Sequence, residues 1–364
     1  MKRLDRALKS LLMEGTVIPA HPLALDGRRV FDEENQRLLT NYYIHSGAGG
    51  IAVAVHSTQF EIRNPEHNLF EKVLRVTADV IDGSGLDKPF VKIAGICGQT
   101  EQAVRESQIA VDLGYDMGLL SMGGLHGLSE EDILRRTEAV AQVIPVFGFY
   151  LQPSVGGRVF TYDFWSRFAE IENVEAIKCA SFNRYQTLDV VRAIAYSSRR
   201  NQIALYTGND DNIVQDLLSI YRFNVEGQDI EIEFKGGLLG HWAVWTNKAV
   251  ELLAKIKDYK NNPSYPKWRE LQVVANQTTD VNAALFDPAN DFHGCIPGIH
   301  EVLRRQGLMK GIWCLNPKEV LSEGQYDEIS RVYEAYPELN DDKFVKKFLK
   351  SYDAVRNSKT NLLF

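Results

Sequence analysis

The stretch Asn173-Val-Glu-Ala-Ile-Lys178-Cys-Ala-Ser181 decides how the rest of the chain is read. Residues 174–178 form a short strand by alternation, with Val174, Ala176 and Lys178 on one face and Glu175 and Ile177 on the other. A lysine at the end of an apolar strand is an expensive place for a charge, because an unpaired ammonium is poorly tolerated away from water. Such a lysine gives up its proton readily, and the neutral amine is a nucleophile for carbonyl carbon. Twenty-eight residues earlier stands Val146-Phe-Gly-Phe-Tyr150-Leu-Gln-Pro153, a second apolar strand ending on a tyrosine. If the two are parallel neighbours, the Tyr150 phenol and the Lys178 amine share one edge of a sheet.

Working outward, short apolar runs alternate with amphipathic stretches from residue 16 to about residue 257. They are 16–20, 50–55, 90–96, 117–121, 146–150, 174–178, 203–206 and 237–240. Eight such runs, each followed by a helical stretch, predict an α/β fold, a (β/α)8 TIM barrel. Helix starts support it: Asp32-Glu-Glu opens one helix, Ser129-Glu-Glu-Asp132 is a capping box for another, and Asn209 or Asp210 can cap a third. Ile230-Glu-Ile-Glu-Phe234 alternates like an extra strand. A polar, proline-marked break at 258–266 divides the chain. Residues 1–257 are expected to form the barrel with a short N-terminal helix, and 258–364 a C-terminal helical extension, with helices near 267–286, 297–307, 325–335 and 341–354.

The 364 residues suffice for one barrel plus an appendage, and a net charge of -7 without a basic run argues against nucleic acid as partner. Four scattered cysteines with no CxxC pair fit neither a disulfide framework nor a structural zinc site. No segment reaches the ~18 apolar residues of a membrane span, and the basic amphipathic N-terminus lacks the features of a signal peptide. A cytoplasmic enzyme without membrane association is expected.

Four motifs carry a family resemblance: Gly50-Ile-Ala-Val-Ala-Val-His-Ser57-Thr58-Gln-Phe-Glu61, Phe149-Tyr150-x-x-Pro153-Ser154, Ala176-Ile-Lys178 and Thr207-Gly208-Asn-Asp210. With Ile93-Ala-Gly95, they resemble the dihydrodipicolinate synthase / N-acetylneuraminate lyase family over roughly residues 15–335. The resemblance implies a class I aldolase on a TIM barrel, without a cofactor, whose lysine forms an imine with an α-keto acid such as pyruvate. By that likeness Lys178 is the imine lysine, Tyr150 the proton shuttle, and Ser57 and Thr58 the carboxylate-binding hydroxyls. Gly208 keeps the pocket floor open. The family also implies a homo-oligomer, a dimer or tetramer.

The chain departs from the family in three places. Both glycines of the carboxylate-binding turn are gone. Val155 stands where an arginine grips the second substrate, with Arg158 nearby but out of register. No tyrosine stands in Gly123-Gly-Leu-His126, where only His126 offers a substitute relay. Dihydrodipicolinate synthesis is therefore disfavoured against another aldolase or a keto-deoxy sugar acid dehydratase. Two alternatives stand beside the lyase: a barrel that binds a keto acid without turning it over, and a metal-dependent barrel enzyme. The second rests on His21, His56 and His241 converging on one rim, although no metal-ligand spacing accompanies them. Trp242, Trp245 and Trp313 are read as packing or pocket-lining residues, and Gly236, Gly237 and Gly240 as a weak likeness to a phosphate-binding turn.

Overall fold

Every one of the eight apolar runs is a strand. The computed structural model describes residues 1–360, with side chains through residue 354, so residues 361–364 of the expected extension lie outside the described residues. In chain order the strands are β1 (Val17–Pro19), β2 (Gly50–Val53), β3 (Val91–Ile96), β4 (Met117–Leu120), β5 (Val146–Leu151), β6 (Val174–Ala180), β7 (Ala204–Thr207), β8 (Ile220–Val225), β9 (Gln228–Glu233) and β10 (Gly236–Leu239). Seven of them, β1 to β7, form a parallel sheet with β10, which pairs between β7 and β1. A parallel bridge between Ala20 and Ala52 joins β1 to β2 and closes the ring. The expected (β/α)8 barrel is the observed fold. Its strands are buried throughout, as expected where helices cover one face and side chains fill the other.

The helices are α1 (Arg6–Glu14), α2 (Glu33–His45), α3 (Phe70–Asp82), α4 (Thr100–Asp112), α5 (Glu130–Ala141), α6 (Tyr162–Glu170), α7 (Arg184–Tyr196), α8 (Ile213–Leu218), α9 (Thr246–Asn261), α10 (Tyr265–Phe286), α11 (Cys295–Arg305), α12 (Gln325–Ala335) and α13 (Asp342–Thr360). Two starts are as the sequence indicates. Asp32 accepts from the Asn35 amide, and the Ser129 box is reciprocal, Asp132 accepting from the Ser129 amide at 3.1 Å. The third start differs. Asn212 stands at the N-cap of α8, while Asn209 and Asp210 spend their side chains elsewhere.

Two apolar layers hold the barrel. Ile18, Ile93, Leu119, Phe147 and Tyr206 fill its interior, and Leu39, Leu74, Ile133, Phe164 and Val190 pack between strands and helices. Helix α1 plugs the end of the barrel where the strands begin. Leu12 joins the interior cluster, the Tyr206 hydroxyl donates to the Leu12 carbonyl, and Lys9 pairs with Glu175 at 2.8 Å. The alternating segment around Ile230–Phe234 is β9, paired with β8 through a two-residue turn at Glu226-Gly227. Both turn residues have positive φ (53° and 82°), the twist that a tight hairpin favours. The polar break is shorter than expected: α9 continues to Asn261 and α10 begins at Tyr265. No helix among the described residues is long and apolar enough to cross a membrane.

The pairing of β5 with β6 corrects the opening reading. Val146 faces Val174, but Phe147 faces Ala176, so the register slips by one residue. From there on each partner is twenty-nine positions ahead, and Lys178 stands opposite Phe149, with Tyr150 opposite Cys179. A one-residue slip exchanges the faces of a strand. Val174 therefore packs outward with Ile177 and Cys179, whereas Ala176 and Ala180 stay in the interior cluster.

Candidate active site

Lys178 ends the apolar part of β6 and opens into a cleft of about 650 Å³ at the C-terminal ends of the strands. The residue is 8% exposed, and its Nζ makes no hydrogen bond or ion pair among the described residues. The ammonium sits 4.4 Å from the centroid of the Phe149 ring, where a π face offers only weak compensation for lost water. Burial lowers its pKa from the ordinary lysine value, and the charge of Asp210 opposes that shift in part.

Asp210 shares the cleft and lies beyond ion-pair distance from Lys178. Burial is the larger influence and raises its pKa. The His241 amide, donating to Oδ1 at 2.9 Å, and the Lys178 charge pull the other way. The segment bearing it is anchored from behind. The buried Asp216 carboxylate accepts from Thr207 Oγ1 (2.7 Å), Asn209 Nδ2 (2.8 Å) and Arg184, and Asn282 donates to the Asp210 carbonyl. Between them, Gly208 leaves room for the lysine. A Cβ built there would stand 2.3 Å from Lys178 Cε, inside any carbon contact.

The turn after β2 divides the two hydroxyls expected to bind a carboxylate. Ser57 is 3% exposed, lines the cleft, and its Oγ has no hydrogen-bond partner. A buried orphan hydroxyl is costly unless something completes it. Thr58, in contrast, does not line the cleft. Its Oγ1 donates to the His21 carbonyl at 2.6 Å and accepts from the Val55 amide, so it holds the turn together. Around this turn Ala54 and Gln59 adopt positive φ, 62° and 67°. Gln59 is held there by the Leu315 amide, which donates to its Oε1.

Tyr150 is not in the cleft. Its ring packs on Trp165 (5.0 Å) and Phe160 in the layer between strands and helices, and its oxygen accepts from the Phe160 amide at 3.4 Å. Burial pushes the phenol up to about 12. The two strands are the parallel neighbours expected, but the phenol and the amine do not share an edge, because the β5–β6 pairing sets Phe149 opposite Lys178. His126 is exposed, and Arg158 donates to the carbonyls of Leu125 and Leu128. Of the residues on which a metal was considered, His56 lines the cleft, while His21 bonds Thr40 in the core. Among the described residues no group of three or more His, Cys, Asp or Glu is placed to hold a metal. His56 is lowered to about 4 by burial and by the Lys178 charge. Trp242 and Trp245 are buried, outside the Lys178 cleft. Gly236 and Gly237 are pressed against Thr16 and Trp242, a packing role, and only Gly240 of the three reaches the cleft.

Nothing in the residue pattern marks the C-terminal helices as the roof of the cleft. Phe286 from the end of α10, Phe292 from the connection, and Cys295 and Ile299 from α11 all line the cleft. Asp210 was legible in the Thr207–Asp210 motif but was read there as a helix cap.

The fold and the strand-end lysine define a (β/α)8 barrel with a buried amine in its mouth. No family model matches the chain. Among curated proteins it is similar to 4-hydroxy-tetrahydrodipicolinate synthases from Cyanothece sp. (30% identical over 123 residues, 33% of this chain and 40% of that one) and Clostridium novyi (27% over 197 residues, 54% and 62%). The matches thus span 40% to 62% of those relatives' length. Among solved structures, dihydrodipicolinate synthase from Cyanidioschyzon merolae with lysine bound superposes at a TM-score of 0.70, with 21% identity, over 89% of this chain and 98% of that one. N-acetylneuraminate lyase from Fusobacterium nucleatum gives 0.68, with 15% identity, over 90% and 99%. The chain thus shares partial sequence similarity with 4-hydroxy-tetrahydrodipicolinate synthases and the barrel fold of these solved structures.

Proposed function

We propose that this protein is a Schiff-base-forming lyase of the class I aldolase type, acting on an α-keto acid through Lys178. The observation that carries the reading is the unpaired Nζ of Lys178, buried at a strand end and open to the cleft. The free amine adds to the ketone carbon, and the carbonyl oxygen takes up two protons in turn, one from the nitrogen and one from an acid in the cleft. That oxygen then leaves as water, and the protonated imine draws electrons from the neighbouring carbon. A C–C bond forms or breaks there, or a β-hydroxyl departs. No external electron sink is required. Ser57 Oγ, with no partner of its own, receives the carboxylate and orients the ketone towards the amine.

Since Tyr150 faces the helices, proton transfer falls to Asp210, whose raised pKa lets it hold a proton close to neutrality. It lines the same cleft as Nζ, outside ion-pair distance. Gly208 keeps the lysine's path clear, and Thr58 supports the turn without touching substrate. The turned-away tyrosine also favours a second reading, a barrel that forms the imine and stops there. Borohydride reduction with pyruvate and longer keto acids, followed by peptide mass mapping, tests the chemistry; an adduct on Lys178 is expected. A protein that forms no adduct with any of them lacks the imine chemistry. Turnover of keto-acid adducts, followed separately, divides lyase from binder. Assembly as a dimer or tetramer is part of the same proposal. Tyr265 and Trp268, exposed and stacked at 5.7 Å on α10, offer a face for it, and light scattering reads the mass.

A further inference from the structure

Two aromatic side chains in the cleft are held in a backbone conformation that bulky residues avoid. Phe182 follows β6 with φ 51°, and Phe292 lies between α10 and α11 with φ 64°. Left-handed backbone is rare for such residues and concentrates at ligand clamps. Both are fixed by hydrogen bonds: the Phe182 amide donates to Asn209 Oδ1, and the Phe292 amide to the Asp287 carbonyl, each at 3.0 Å. Asp287 is itself left-handed and accepts from Ser322 and the Gly294 amide. From separate parts of the chain the two rings meet edge to face, 5.8 Å apart and inclined at 73°. Each is half-buried and lines the cleft that holds Lys178.

The walls around them are apolar: Leu151, Val155, Phe286 and Ile299 line the same cleft. Among the described lining residues, Lys178 is the sole lysine or arginine. Arg158, the nearest candidate by sequence, is committed to two carbonyls and the Phe160 ring. A second carboxylate or a phosphate on the substrate would find no counter-charge here and would face Asp210. A flat apolar group would find π edges and faces.

Resting on the keto-acid reading above, we propose that Phe182 and Phe292 form an aromatic clamp selecting an α-keto acid with a planar, uncharged substituent, aryl or conjugated alkenyl. The substrate's single carboxylate lies at the Ser57 turn, its ketone at Lys178, and its flat end against the joined pair of rings. Backbone strain at both positions is the means of keeping the rings turned into the cleft.

The test compares pyruvate, 2-oxoglutarate and phenylpyruvate in borohydride trapping on the full-length protein. Phenylpyruvate is expected to saturate at a concentration at least tenfold below either of the others. The Phe182→Leu and Phe292→Leu variants, made singly and together, keep apolar volume without a ring. They are expected to erase that preference, read as the phenylpyruvate-to-pyruvate ratio so that a general loss of rate does not enter. Thermal melts confirm that each variant is folded. Equal saturation by 2-oxoglutarate and phenylpyruvate overturns the clamp, as does an undiminished ratio in the double variant. A separate arm needs no imine: 3-phenylpropionate should raise the melting temperature more than propionate does. If no keto acid forms an adduct but 3-phenylpropionate still protects, the imine reading has failed and the clamp stands. If propionate protects equally well, the clamp is wrong even where adducts form.

Discussion

Replacing Gly208 by alanine separates the demands of the fold from those of the chemistry. The new methyl would stand 2.3 Å from Lys178 Cε, 2.9 Å from Lys178 Cγ and 3.0 Å from the Ala180 Cβ. Carbon atoms pack at about 3.5–4.0 Å, so something must move by roughly 1 Å. The backbone at 208 is outside the left-handed region, so alanine adds no conformational strain, and the stiffer unfolded chain returns about 0.4–1 kcal/mol. What yields is the flexible lysine. Overpacking costs about 1–3 kcal/mol in a tight core, and the lower end applies where a side-chain tip can swing into a cleft. Net stability should change by no more than about 1–2 kcal/mol, a few degrees in melting temperature. Activity is another matter, because the displaced group is the nucleophile, and a displacement of about 1 Å costs on the order of a hundredfold. Thermal melts and the rate of borohydride-trapped adduct, measured on the same preparation, make the comparison. A Gly208→Ala protein that traps keto acid at the wild-type rate refutes the placement of Lys178.

Tyr150→Phe should trap keto acid within about twofold of wild type and lose no more than ~1 kcal/mol, since only one long hydrogen bond disappears; a hundredfold loss would restore the phenol to the reaction. Ser57→Ala and Thr58→Val should behave oppositely. The first removes an orphan hydroxyl, keeps stability and raises the saturating keto-acid concentration roughly tenfold, while the second strands a buried carbonyl and amide and costs about 2–5 kcal/mol. Denaturant melts and saturation curves read both. The trapping rate of wild type should rise with pH through a lysine pKa below the ordinary 10.5, because burial favours the free amine. Asp210's charge acts against burial, so Asp210→Asn should move that rising limb to lower pH and, by removing the proton donor, lower the rate near neutrality about a hundredfold. A limb that moves to higher pH contradicts the assignment.

The strand pattern was legible because parallel barrel strands are buried on both faces and read as short apolar runs. Lys178 was legible for the complementary reason, a charge at the end of such a run. Tyr150 was misplaced by simple counting. Tyr150 and Lys178 are separated by the same twenty-eight positions as Val146 and Val174, but the slip at Phe147 makes the later offset twenty-nine. Periodicity has no means of registering an irregularity that a single residue creates. Thr58 was expected to bind a carboxylate and Asp210 to cap a helix, whereas the threonine holds the turn and the aspartate lines the cleft. Which of two neighbouring polar residues faces substrate depends on partners such as the His21 carbonyl and the His241 amide, which are remote in sequence.

The roof was illegible for a related reason, and it alters how the extension is understood. Composition marks 258–266 as a break, and composition is blind to what folds back across it. Three ties cross from the extension to the cleft: Leu315 to Gln59 on the carboxylate turn, Asn282 to the Asp210 carbonyl, and the Phe182–Phe292 contact. Each reaches a different working part. Gln59 holds a left-handed turn without the glycine that would make it easy, at a strain of about 1–2 kcal/mol, and the Leu315 amide is the partner that keeps its side chain in place. The extension thus holds the turn that carries Ser57 in a backbone conformation that only glycine adopts freely. The segment that supplies this brace also brings the apolar wall, Phe286, Phe292 and Ile299, under which Lys178 loses its water.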